Sequence, residues 1–208
     1  MNCRCGASPP EFGGSFSKPT AYTELLGQAA DLGFHTIGLS YPDTPTVGQR
    51  CGNDLGCYGP LRQSVFDGMP SPRSDVDAAN SIQHRLAALL SDTPAGWIAG
   101  DHLTPLNHYA GFVHVDDPFS RKIRADWTAL GLDGLGATDL NNGLPPSGGT
   151  HELLMTTPSA RGLTAHALPV VDGTTPLCGN KTPQLGPVWR YLMLTAAGLP
   201  IPQLRSTC

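Results

Sequence analysis

Residues 20–32 run into residues 35–41 with only Gly33 and Phe34 between them, and this junction constrains the fold more than any other stretch. Tyr22, Leu25, Leu26, Ala29 and Ala30 recur at helical spacing, so 20–32 reads as a helix with one apolar face and Gly33 as its stop. "HTIGLSY", 35–41, is apolar and β-prone, a strand entered at once from that helix. A helix joined so tightly to a strand belongs to a layered α/β fold.

The rest of the chain continues the alternation. Residues 42–73 are rich in Pro, Gly and Cys and read as loop. Ser74 then caps a helix from Asp75 to about Ser91, with Asp75 and Asp77 in its first turn and Val76, Ala79, Ile82, Leu86, Leu89 and Leu90 on one face. "HYAGFVHV", 108–115, is a strand, "FSRKIRADWTAL" a helix stopping at Gly131, and "HELLMTT", 151–157, a short strand. Pro187 opens the last helix at its first position and Gly198 closes it. There are no internal repeats, and the expected organisation is a poorly ordered segment 1–18, one domain 19–200 and a tail 201–208.

Charge excludes several classes of partner. Net charge is −4 and only 14% of the 208 residues are charged, so nothing suggests nucleic acid or an anionic membrane surface. No apolar run approaches the ~18 residues of a membrane span, and the opening "MNCRCGASPPEFGG" lacks the apolar core of a secretory signal. The low charge, with 25 Gly and 20 Pro, nevertheless fits an exported protein. Cysteines stand at 3, 5, 51, 57, 178 and 208 without a C-x-x-C pair. Cys51 and Cys57 bracket the turn-rich "GNDLG", and in an oxidising compartment they are expected to form a disulfide.

Ser40, with Gly38 two residues before it, is most of a nucleophile elbow, G-x-S-x-G. The fifth position is Pro42, and "DTPTVGQRCGNDLGCYGP" beyond it has no helical apolar period. An elbow works by turning a strand into a helix N-terminus that stabilises charge beside the hydroxyl, so Ser40 reads as structural. "GGS" at 13–15 is a lone glycine turn, not a phosphate loop, and no cofactor motif occurs. His102, His108, His114 and Asp116 lack the spacing of a convergent metal set. Asn180-Lys181-Thr182 is a glycosylation sequon that matters only in an exported eukaryotic protein.

"PTAYTELLGQAADLGFHTIGLSYPD", "CGNDLGCYGPLRQSVFDG", "NSIQHRLAALL", "YAGFVHVDDPF", "WTALGL", "GGTHELLMT", "AHALPVVDGTTPLC" and "PVWRYLM" resemble, in that order, esterase- and lipase-like members of the α/β-hydrolase family over roughly residues 12–194. The resemblance implies a three-layer sandwich, a mostly parallel sheet flanked by helices, and acyl hydrolysis of small ester-like substrates through a serine. It also implies an acid then a base in chain order. Asp116 is the expected carboxylate with Asp117 as second choice, and His166 the expected base with His151 second. The histidine would take the serine proton and the aspartate would stabilise the imidazolium.

This chain departs from the family in its middle. "LLSDTPAGWIAGDHLTPLNHYAGF" passes from the second helix almost directly to the late strand, and no G-x-S-x-G occurs anywhere. Ser40 falls at the end of an early strand, away from the family's nucleophile. The expectation is therefore a reduced hydrolase-like sheet of three or four strands with long loops and no serine nucleophile. The alternative is a non-catalytic binding module or a truncated remnant of a longer hydrolase.

Overall fold

The computed structural model of the chain describes residues 10–12, 16–91, 110–129, 135–138, 152–155, 160–202 and 208. It is a mixed helix–strand protein with small parallel sheets. Its contacts group into two compact units, Met1–Tyr22 with Gly33–Gly100 and Thr23–Leu32 with Asp101–Cys208, where the sequence reading takes 19–200 as one domain.

In the first unit β1 (Pro10–Phe12) pairs in parallel with β2 (Ile37–Leu39), Pro10 opposite Ile37 and Phe12 opposite Leu39. β1 lies within the segment 1–18 that the sequence reading leaves without structure, because three residues carry no periodicity. β2 is the core of the expected strand 35–41, with Leu39 buried.

The expected loop 42–73 instead contains two helices, α2 (Val47–Cys51) and α3 (Leu55–Asp67). Composition hides them, since Gly48, Gly56, Gly59 and Pro60 are poor helix residues. Local chemistry supplies what propensity does not. Thr46 and Gln49 form a capping box, Thr46 Oγ1 accepting from Gln49 N at 3.1 Å and Gln49 Oε1 from Thr46 N at 2.9 Å. The Cys51–Cys57 disulfide, with Cα atoms 5.5 Å apart, ties the end of α2 to the start of α3. Gly68 ends α3 at φ +81.

The helix expected from Asp75 begins at Ile82, as α4 (Ile82–Ser91). Side-chain caps delay it: Asp77 Oδ1 accepts from Asn80 N at 2.8 Å and closes a separate 3-10 turn at Ala78–Asn80. Ile82 is buried, whereas Leu89, on the same expected face, is 44% exposed.

The second unit contains α1 (Thr23–Asp31), β3 (Gly111–His114), α5 (Ser120–Ala129), β4 (Leu135–Thr138), β5 (Glu152–Met155), α6 (Leu163–Ala167) and α7 (Gly186–Ala196). Its sheet has the order β3-β5-β4, all parallel, with Gly111 and Leu135 both opposite Glu152. A parallel sheet is covered, not wet. Leu153 and Met155 of central β5 are fully buried, and with Leu168, Leu185, Val188, Trp189, Tyr191 and Leu192 they form one core. α7 supplies most of that core, and Trp189 Nε1 donates to Pro169 O at 2.8 Å, satisfying its buried indole. α1 packs on α7. Its N-terminus is held by Asp172, whose carboxylate accepts from Thr23 N at 2.8 Å and Glu24 N at 3.1 Å. A second disulfide, Cys178–Cys208, spans the segment that carries α7.

Candidate functional site

β3 and β5 are parallel neighbours, so the segments that follow them leave the sheet at the same edge. Ligand sites of parallel sheets lie at such carboxyl ends. After β3 the chain turns through residues 115–117; after β5 it reaches α6, which carries His166. There His166 Nδ1 and Asp117 Oδ2 meet at 2.8 Å, forty-nine residues apart in sequence.

The two partners differ in burial. The Asp117 side chain is 2% exposed, and that of His166 is 48% exposed. Asp117 is fixed at both oxygens: Oδ1 accepts from Phe119 N at 2.7 Å, and Oδ2 takes the imidazole. Its backbone is fixed too, Asp117 N donating to His114 O at 3.1 Å and Ser120 N to Asp117 O at 3.0 Å. A carboxylate only accepts, so Nδ1 of His166 carries the proton and its outward Nε2 is the basic atom. The ring is steadied by α6, whose Ala165 is fully buried, and by the edge of Phe119 at 5.3 Å between centroids.

The structure thus brings His166 to Asp117, not to Asp116. Asp116 is exposed, and its backbone N–H donates to His114 Nδ1 at 3.0 Å. His151, the second choice for the base, lies outside the described residues, as do His102 and His108. Phe119 is the contact that sequence reasoning missed. Its signal was Asp-Pro-Phe at 117–119, where an aspartate accepting the N–H two residues on forms an Asx-turn. Among the described residues no three His, Cys, Asp or Glu side chains converge as a metal set.

Ser40 stands in the first unit, exposed, after β2. Its carbonyl accepts from Arg85 Nη1 at 3.2 Å, and its hydroxyl makes no hydrogen bond to a histidine among the described residues. Ser81 and His84 superficially offer a serine–histidine pair at 2.9 Å. Ser81 Oγ, however, donates to Ala78 O at 2.8 Å and accepts from His84 N at 3.3 Å, which makes it a buried cap for α4. Tyr41, Asp43, Val47, Arg50, Leu61 and Val76 are among the residues lining a recess of about 50 Å³, room for only a few waters. Arg50 of this lining donates from Nη2 to Asp75 Oδ1 at 2.6 Å and holds that carboxyl below its ordinary range. No helix among the described residues is long and apolar enough to cross a membrane.

Comparison of the chain with family models, with curated proteins and with solved structures finds no match.

Proposed function

We propose that this chain is an α/β-hydrolase-like protein that retains the acid–base pair of an esterase, Asp117 and His166, without the serine nucleophile that the pair would serve. The observation that carries this reading is the 2.8 Å contact between a buried, doubly held carboxylate and a half-exposed imidazole. Its setting adds support: acid after one parallel strand and base after its neighbour, in the chain order of a hydrolase sheet. Asp117 fixes the Nδ1–H tautomer, so Nε2 can take a proton from a hydroxyl presented to it, and the buried charge stabilises the imidazolium that results. The missing part is covalent. The sequence holds no G-x-S-x-G to present an elbow serine to Nε2, so an ester-like small molecule would be bound without acyl transfer.

The test is fluorophosphonate labelling of the purified chain with mass mapping, alongside turnover of p-nitrophenyl acetate. The expected result is no labelled serine and turnover equal to that of denatured protein, unchanged by Ser40→Ala. A labelled serine, with turnover lost on His166→Ala, would mean that the chain has a nucleophile outside the elbow pattern.

A further inference from the structure

One buried side chain beside the pair has no part in the chemistry just described. His114, the last residue of β3, is fully buried. Its Nδ1 accepts from the backbone N–H of Asp116 at 3.0 Å, and its carbonyl accepts from the N–H of Asp117 at 3.1 Å. Both peptide N–H groups of the turn that presents the carboxylate therefore end on His114. A ring nitrogen that accepts carries no proton, so His114 is the Nε2–H tautomer, opposite to His166.

We infer that His114 is a positioning residue, whose Nδ1 fixes the 115–117 turn and thereby aims the Asp117 carboxylate at His166. Among the described residues the sheet anchors this segment as far as Val115, whose N–H donates to Met155 O at 2.8 Å. Beyond that residue the Asp116 side chain is exposed. The imidazole takes the next N–H internally, the shorter of two bonds on the 115–116 peptide, whose carbonyl accepts from Ser120 Oγ at 3.5 Å. Hydrogen bonds weaken steeply once misaligned, so a rotation of this peptide would cost Asp117 its bond to His166 even with both residues intact. Asparagine places an acceptor, Oδ1, where the histidine Nδ1 stands, and unlike aspartate it brings no charge into the buried site.

This inference rests on the reading of Asp117 and His166 as an acid–base pair, and the experiment separates the two. Two-bond ¹H–¹⁵N spectra of the full chain at neutral pH report the tautomer of each histidine. In the unaltered chain His166 is expected as Nδ1–H and His114 as Nε2–H. Asp117→Asn should move the His166 tautomer ratio toward Nε2–H by about tenfold, the loss of one charge-assisted hydrogen bond. His114→Leu should move it as far, and His114→Asn should restore it. If Asp117→Asn shifts His166 and His114→Leu does not, the positioning role is wrong and the pair stands. If neither shifts it, the pair itself is wrong. Should His114→Leu not fold, two results still decide: His114 protonated at Nδ1 in the unaltered chain, or a His114→Asn ratio as shifted as that of Asp117→Asn, overturns the inference.

Discussion

Removing the Cys178–Cys208 bridge should destabilise the second unit more than removing Cys51–Cys57 destabilises the first. The reason is the length of chain each closes. Cys178 and Cys208 are 30 residues apart with α7 between them, and Cys51 and Cys57 are 6 apart. In the chain-entropy account a cross-link stabilises by restricting the unfolded ensemble, with a cost that grows as the logarithm of the loop. At 25 °C that gives about 3.6 kcal/mol for the longer loop and about 2.2 kcal/mol for the shorter. Against a typical stability of ~5–15 kcal/mol, either loss is large. The native contacts of α7 do not need the bond: Val188, Trp189, Tyr191, Leu192 and Leu194 are buried by packing. The variant should thus reach the same folded state from a less restricted unfolded one. The assay is guanidinium unfolding of Cys178→Ser/Cys208→Ser and Cys51→Ser/Cys57→Ser, followed by tryptophan emission, to which buried Trp189 contributes. Peptide mapping without reductant, on protein from an oxidising host, should first show both pairings. Free thiols at these four positions, or an equal or larger loss from the shorter loop, would refute the reasoning.

Gly68→Ala should destabilise the first unit by at least ~1–3 kcal/mol, since φ is +81 and an added Cβ would stand 2.4 Å from the Ala78 Cα; an unchanged thermal midpoint would count against a left-handed Gly68 at the end of α3. Asp75 is held below its ordinary value of 3.8 by the Arg50 hydrogen bond. A lowered carboxyl stabilises the fold above its unfolded pKa and loses that contribution as pH falls through the folded one. Asp75→Asn should therefore weaken the chain at neutral pH and flatten its acid denaturation below about pH 4, read from denaturation midpoints across pH. Asp67, lowered by Gln63 and by the Met69 N–H, should behave in the same way.

Periodicity located the elements whose burial follows it. Of the face expected for 20–32, Ala29 is buried, Leu25 and Leu26 are partly so and Ala30 is exposed, while Tyr22 is buried but precedes α1; the strands at 108–115 and 151–157 contain β3 and β5. α2 and α3 were illegible for a physical reason. They form on a capping box, a disulfide and a αL stop, with Leu61 and Ser64 as the only buried residues of α3, so no apolar period advertises them. The second disulfide was equally hidden, because six cysteines allow fifteen complete pairings and spacing favours only the nearest. β4, in "GLDGLGATDL", carries too little apolar alternation to signal a strand and depends on pairing with β5.

The candidate site divides along the same line. That an aspartate after one strand should meet a histidine after another is an expectation of the hydrolase resemblance alone, and the parallel pairing of β3 with β5 is what brings the two segments to one end of the sheet. Which aspartate does so depends on a single turn. Asp116 and Asp117 are chemically identical and adjacent, and the choice between them is made by backbone bonds. His114 takes the N–H of both residues, and Phe119 gives its own N–H to Asp117 Oδ1, so the second carboxylate turns inward and the first is left in water. None of these bonds has a spacing that a sequence pattern would single out. Burial then gives the chosen residue its leverage, because a carboxylate at 2% exposure interacts with an imidazolium through far less screening than one in solvent. The same Asp-Asp dipeptide thus supplies one solvated charge and one that sets the tautomer of His166.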